Sequence, residues 1–221
     1  MSRPVRIDFV SDVACPWCAI GLMALEQAIA RIGDGLEVEL HFQPFELNPD
    51  MEPAGEPIAE HLGRKYGMTA EQLVQNGEAI RQRGAELGFA FDMHRRDRIY
   101  NTFDAHRLLY WAGGLGAAQQ RALKHALLRA YHGEGRNVSD SAELAAIAAS
   151  TGLDGDEARR ILDTGAFAAQ VREREHHYQQ RGIRAVPSVI FNDRHLVQGG
   201  QPVEVFEQAL RQLADLPAPS A

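Results

Sequence analysis

Two cysteines are all that this chain of 221 residues contains, and they stand together in Cys15-Pro16-Trp17-Cys18. With no third thiol there is no disulfide framework, and a bond between positions so close would close a loop too short to remove much chain entropy. A structural zinc site is also short of ligands: four are the rule, no second Cys-x-x-Cys exists, and His176 and His177 would complete the set only with an atypical spacing. Redox chemistry is the use that remains for the pair. Long apolar runs are missing as well, since nothing approaches the roughly 20 residues of a membrane-spanning helix. Met1-Ser-Arg-Pro4 leads straight into strand residues with no signal-peptide core before them, so the cytoplasm is the expected compartment. Nor is there an excess of positive charge. Against 30 acidic residues stand 23 lysines and arginines, a net charge of -7 without a basic stripe, and nucleic acid and anionic membranes are excluded as expected partners. A phosphate-cradling glycine loop is absent too, because Gly113-Gly114-Leu115-Gly116 falls between helical patterns and reads as a turn. No metal or nucleotide cofactor is implied.

What is present begins as a strand, helix, strand unit. Val5, Ile7 and Phe9 alternate with Arg6 and Asp8, the period of a strand with one apolar and one polar face. Pro16 suits the first position of a helix, where a missing N–H is no loss, and Ile20, Leu22, Leu25, Ala28 and Ile29 continue at helical spacing until Gly33 and Gly35. Val38, Leu40 and Phe42 then alternate as a second strand. After the proline-rich connection from Pro44 to Pro57 the period is helical. Thr69 and Gln72 have capping-box spacing and predict a helix to about Gly88; further helices are expected over 101–110, 117–132, 140–151, 154–162 and 167–180. Asp140/Glu143 and Asp154/Glu157 repeat the capping-box spacing, with no fixed long period that would indicate a solenoid. Ser188–Phe191 and His195–Gln198 flank Asn192-Asp193-Arg194 as a hairpin, and Pro202 opens a last helix with Phe206, Ala209, Leu210 and Leu213 on one face. Residues 217–221 read as a disordered tail. The expected organisation is an α/β domain formed by 1–43 and 183–221, with a helical insertion and its connections at 44–182.

The thiolate is the form of cysteine that attacks a disulfide. With Pro16 as the first helical residue, Cys15 sits at the N-cap, where unpaired N–H groups and the positive end of the helix dipole stabilise its negative charge. Cys15 is therefore the expected attacking sulfur. Cys18 lies over the same face of the first turn but further inside the helix, and is the expected resolving sulfur. Pro16 and Trp17 would tune the loop, with Trp17 either half exposed beside the reactive sulfur or packed as an ordinary aromatic. In Ile183–Ile190 a proline stands at the mouth of a buried strand, where it must lack a ladder partner or occupy a special geometry. A trans edge proline and a cis Val186–Pro187 bond both satisfy that requirement.

A strand, Cys-Pro-Trp-Cys at a helix start, an inserted helical region and a late Val-Pro before a hairpin together resemble the DsbA-like branch of the thioredoxin superfamily. DFVSDVACPWCAIG (8–21), FQPFELNPDM (42–51), NTFDAHRLL (101–109), AYHGEGRNVSD (130–140) and GIRAVPSVIFNDRHLVQGGQP (182–202) are similar to the FrnE-type DsbA oxidoreductases, and they span nearly the whole chain. The resemblance implies a thioredoxin-like fold with an inserted all-helical domain. It also implies thiol-disulfide exchange with a thiol- or disulfide-bearing protein or small molecule. By the same resemblance Cys15 is the nucleophile, Cys18 the resolving thiol and Pro187 a cis-proline facing them, while the backbone of Val186 pairs with an extended substrate. Ser188 stands where threonine is common in the family, and Ala19 where an aromatic is frequent; both bear on substrate fit. A related branch, the 2-hydroxychromene-2-carboxylate isomerases, uses glutathione on the same architecture, usually with serine at the first motif position. Cys15 favours disulfide exchange, and glutathione is the one co-substrate in view. A non-catalytic, chaperone-like binding module is the third reading. The sequence sets no oligomeric state.

Secondary candidates lie in the insertion. His106 shares a helix face with Phe103, Leu109 and Tyr110, so it either lines the cleft and exchanges protons during thiol chemistry or is a core histidine. Asn101 reads as an N-cap and Asp104 as a first-turn acid. Arg172-Glu-Arg-Glu175 and His176-His177 read as a solvated helix face. Phe45 and Met51 either edge an apolar groove or belong to the core.

Overall fold

A strand with one polar face belongs at a surface, yet β1 (Val5–Ser11) is buried almost throughout, Asp8 included. The computed structural model, which describes residues 4–214, shows why. After β1 the chain turns into α1 (Pro16–Ile32) and returns as β2 (Val38–Pro44), parallel to β1 with Val5 opposite Val38 and Ser11 opposite Pro44. Parallel neighbours need a crossover, and α1 is that crossover. A small ladder then forms between β3 (Glu56–Pro57) and β4 (Arg98–Ile99), enclosing α2 (Ile58–Tyr66) and α3 (Ala70–Glu86). The helices α4 (Phe103–Leu115), α5 (Ala117–His132), α6 (Ser141–Ser150), α7 (Gly155–Thr164) and α8 (Ala168–Gln180) follow. The hairpin β5 (Ser188–Phe191) and β6 (His195–Gln198) completes a sheet of order β2-β1-β5-β6, antiparallel at β1–β5 and β5–β6, and α9 (Val203–Leu213) packs on α1.

The sheet is covered on both faces, and this decides the fate of Asp8. Val5, Ile7 and Phe9 join Ile20, Leu22 and Leu25 of α1 and Phe206 and Leu210 of α9 in one core. On the opposite face Val10 packs with Phe45, Tyr178 at the end of α8, Ile183 and Ile190. Asp8 is tolerated there because Arg6 Nε lies 2.9 Å and Gln43 Nε2 2.6 Å from its carboxylate; a buried charge needs such partners. Phe45 is thus a core residue, and Met51 packs against the helical core.

The insertion divides by packing. Ile80 of α3, with Leu87, Phe89 and Phe91 after it, joins the core around α1, whereas α4 to α7 gather around Leu108, Leu123, Leu127, Tyr131 and Ile161. Val13 and Ala14, from the turn between β1 and α1, are buried in that second core. The cysteine turn is therefore clamped between the two halves of the molecule.

Helix starts follow their caps. Thr69 makes both halves of the capping box with Gln72. Asp140 and Asp154 accept the N–H groups of Glu143 and Glu157, while those glutamates turn to Arg136 and Arg160 instead of completing the box. Asn192 and Asp193 take up left-handed backbone in the hairpin turn, a conformation these two residue types tolerate.

Three expectations need correction. The stretch after Pro57 is not helical throughout: it opens with α2, which buries only His61, but Arg98–Ile99 pairs with Glu56–Pro57 as the ladder β3–β4, whose two-residue strands have no period. Gly113 and Gly114 are helical and close α4, so only Gly116 makes the turn. Gly113 has a packing reason: a Cβ there would stand 2.7 Å from Gln120 Nε2, and Gln120 must come close to bind the Phe42 backbone. Finally, Thr102 is the N-cap of α4, while Asn101 accepts the Phe103 N–H and donates to the Met51 carbonyl. The expected tail at 217–221 lies outside the described residues.

Candidate functional site

Proline at N1 sets the start of α1, and this leaves Cys15 as its N-cap in extended backbone with no competing side-chain cap. Both cysteines are free thiols. Cys15 keeps 5% exposure and Cys18 has none, the order in which an attacking and a resolving sulfur would be layered. As a thiol, Cys15 donates toward the Val186 carbonyl over 3.8 Å. The Val186–Pro187 bond is cis. Pro187 sits on α1 at a glycine, since a Cβ on Gly21 would lie 3.0 Å from Pro187 Cγ. Trp17 both packs and shows: it is 38% exposed, yet a Cβ on Gly200 would meet its ring at 3.2 Å. Cys15 thus faces Val186 beside Pro187, while Pro187 and the Trp17–Gly200 contact pack on the same end of α1 around Gly21.

The two thiols are pushed apart in acidity. A hydrogen bond from the Cys18 thiol, against the cost of burial, and the N–H groups of Cys18 and Trp17 hold Cys15 below the ordinary thiol value. Burial, reinforced by the neighbouring Cys15 charge, drives Cys18 well above it. One sulfur is an easy anion and the other holds its proton, which is the asymmetry that stepwise exchange requires.

Behind the loop lies a polar anchor that the sequence reading missed. Asp12 is buried; its Oδ1 accepts from Ala14 N at 3.1 Å and from the Thr102 hydroxyl at 2.7 Å, and its Oδ2 accepts from Leu47 N at 2.7 Å. Burial works against the charge of Asp12, but His106, the Leu47 N–H and Thr102 outweigh it and hold the carboxyl below its usual range. Asp12 therefore ties the cysteine turn to the β2 exit and to the start of α4. The only sequence signal was an Asp two residues before Ala14, the spacing of an Asx turn. His132 Nε2 donates to the Val13 carbonyl at 2.9 Å, and Arg96 donates to that of Ala14 at 3.4 Å.

His106 departs from the cleft-lining expectation. It is 2% exposed, and its Nε2 stands 3.7 Å from Asp12 Oδ1, so it supports the anchor behind the loop and shows only a small area to the cavity of about 240 Å³ beside β2 and α4. The expected solvated face of α8 holds at Arg172, whose side chain is 48% exposed, and is corrected at Glu175, which is buried. Arg172 covers the Phe103 ring at 3.8 Å, pairs with Glu46 and reaches Glu175 at 2.8 Å. Burial, with the like charge of Glu175, pushes Glu46 up to about 7. Glu46, two residues past β2, and Arg172 and Glu175 of α8 are too far apart in sequence to be read together. Among the described residues no cluster of three or more possible metal ligands occurs, and no helix is long and apolar enough to cross a membrane.

A four-stranded sheet with a Cys-x-x-Cys at the start of its first helix, a proline turn against that helix and an intervening helical body define a thioredoxin-type domain of the DsbA class. The model of the DsbA-like thioredoxin domain matches residues 6–211, and the chain belongs to that family, whose members are disulfide oxidoreductases or isomerases. A probable DsbA oxidoreductase from Streptomyces coelicolor is 35% identical, over 98% of this chain and 93% of that one, with a TM-score of 0.87. Two more distant structures share the fold at 18% identity, each over 96% of this chain and 100% of the other. They are a 2-hydroxychromene-2-carboxylate isomerase, TM-score 0.72, and the cytosolic disulfide reductase DsbM from Pseudomonas aeruginosa with GSH, TM-score 0.64.

Proposed function

We propose that this chain is a FrnE-type thiol-disulfide oxidoreductase working through a mixed disulfide at Cys15. The observation that carries the reading is the position of Cys15 Sγ: at a helix N-cap, barely exposed, and 3.8 Å from the Val186 carbonyl beside Pro187. The Cys15 thiolate attacks a substrate disulfide, one substrate sulfur leaves as thiolate, and the other stays bonded to Cys15. Cys18 then loses its proton and attacks Cys15 Sγ, the second substrate sulfur leaves, and the protein keeps the disulfide while the substrate has gained two electrons. The same steps in reverse oxidise a dithiol. Val186 offers main-chain groups to an extended substrate, and Trp17, Pro16 and Pro187 give it an apolar floor.

Glutathione is the small thiol to consider, because the structure of the related disulfide reductase DsbM is one with GSH. The cytosolic character of that relative supports the cytoplasm as the site of action. The isomerase of similar fold keeps a glutathione-dependent isomerisation as the second reading, and Cys15 at the first motif position argues for exchange.

Cys18→Ser tests this directly. Incubated with oxidised glutathione, the variant accumulates a stable one-to-one adduct on Cys15 by intact mass, while the wild type passes through it to the internal disulfide. A Cys18→Ser protein that forms no adduct, and so behaves as an isomerase or a passive binding module, contradicts the exchange reading.

A further inference from the structure

Four basic side chains and, among the described residues, no carboxylate line the cavity of about 240 Å³ that lies beside the outer strand β2 and is bounded by α4, α5 and α8. His41 of β2 and Arg174 of α8 keep exposed surface at its mouth, whereas His106 of α4 and Lys124 of α5 are buried at its closed end. Cys15, Trp17, Val186 and Pro187 are not in its lining, so it is a separate place from the cysteine pair.

Lysine is among the residues least often fully buried, and a buried cation is normally paired. Lys124 has no exposure at all, and its Nζ has no hydrogen-bond partner. That nitrogen stands 6.0 Å from the centre of the Phe42 ring, itself a wall of the cavity. His106 Nε2 is likewise buried without a hydrogen-bond partner, 3.7 Å from an Asp12 carboxylate that already accepts three hydrogen bonds. The amides in the wall are committed elsewhere. Gln120 spends its side chain on the Phe42 backbone and the Leu109 carbonyl, and Gln43 donates to Asp8. Glu39 stands 3.8 Å from His41 near the mouth, outside the lining. Burial works against the charge of Lys124, and no wall group supplies a counter-charge. The other walls are apolar: Phe42, Pro44, Leu109 and Tyr110 present rings and aliphatic surface. A cavity of about 150 Å³ already holds benzene, so there is room here for a ring-sized apolar body that carries a charge. A bare inorganic anion would meet the cations and leave those walls against water.

We propose that this cavity binds a small organic carboxylate, with its charged end at Lys124 beside His106 and its apolar body against Phe42, Leu109 and Tyr110. The proposal is independent of the exchange reading, since it uses neither thiol. The carboxylate accepts the hydrogen bond that Lys124 Nζ lacks, a charge-assisted bond, and it neutralises a buried cation that is otherwise unpaired. Arg174 and His41 draw the anion to the mouth.

Benzoate is the probe. Added to the full chain, it shifts the side-chain NMR signals of Lys124 to saturation. Benzamide, the same ring without the charge, binds on the order of tenfold more weakly, the scale of one hydrogen bond to a charged group. Inorganic phosphate is also weaker than benzoate. Lys124→Met removes the benzoate site; methionine keeps the length of the side chain and drops a buried unpaired charge, so the variant is expected to fold. Arg174→Glu changes an exposed residue, leaves the fold intact and weakens benzoate several-fold, which keeps the proposal testable if Lys124→Met does not fold. Benzoate that leaves the Lys124 signals unmoved, or that binds no more tightly than benzamide, overturns the proposal. Phosphate bound as tightly as benzoate overturns it too, because the apolar walls then take no part. Each of these results leaves the exchange reading untouched, since the Cys18→Ser adduct decides that separately.

Discussion

Cys15→Ser abolishes disulfide exchange while leaving the fold intact. Serine is among the preferred N-caps, so α1 keeps or improves its start, and the loop hydrogen bonds made by Asp12, His132 and Arg96 do not involve the Cys15 side chain. What is lost is the sulfur. A hydroxyl neither ionises near neutrality nor forms a mixed disulfide, and Cys18 is wholly buried with its thiol well above the ordinary value, so it does not substitute. The wild type carries the matching pH signature. Because the Cys15 pKa is lowered, its thiolate persists below the pH at which an ordinary thiol becomes protonated, and its alkylation rate reaches half of its plateau at a lower pH than that of an unperturbed thiol measured alongside. Stopped exchange assays and alkylation across pH read both effects. Turnover retained by Cys15→Ser would show that another group carries the chemistry.

Arg107→Met has the largest expected effect on stability. Arg107 is buried in the helical half, and its guanidinium donates to the carbonyls of Ile161, Leu162 at 3.4 Å and Ala166 at 2.8 Å, and to Asp104 at 2.6 Å. The carbonyls lie in the last turn of α7 and just beyond it, where a helix leaves acceptors without partners of its own, and a basic side chain suits that end of the dipole. Methionine fills much of the volume but satisfies none of them. The expected loss is about 3–5 kcal/mol, the range for breaking a buried charged network by removing one partner. Urea unfolding followed by circular dichroism measures it. A loss under about 1 kcal/mol, the scale of a single ordinary hydrogen bond, would contradict the role given to this side chain.

The parts of the fold that were legible are those whose signal is local. Alternation found β1, β2 and the β5–β6 hairpin; Pro16 found the start of α1; and Thr69, Asp140 and Asp154 found three helix starts. The α5 limits, Ala117–His132, agree with the expected 117–132, where Leu123, Leu127 and Tyr131 form one apolar column. What escaped is what depends on distant partners. Asp8 reads as solvent-facing until the end of α8 covers it, and Glu46 and Arg172 meet across 126 positions. Lys124 sits in the polar-looking run Gln119–His125, where nothing local marks it as enclosed. At the site, the deeper burial of Cys18 followed from the helix start alone. The Asp12 anchor needed Thr102 and Leu47, which only the packed chain brings to it.

The reduction potential of the Cys15/Cys18 couple is the measurement that bears most directly on function, with the protein equilibrated in glutathione buffers and its free thiols counted. A disulfide exchanger gives a reversible two-electron transition, absent in Cys15→Ser, and the midpoint against the cytosolic poise tells whether it tends to oxidise or to reduce its substrates. Two thiols that never interconvert with a disulfide anywhere in the glutathione range would contradict the exchange reading and leave glutathione-dependent isomerisation in its place.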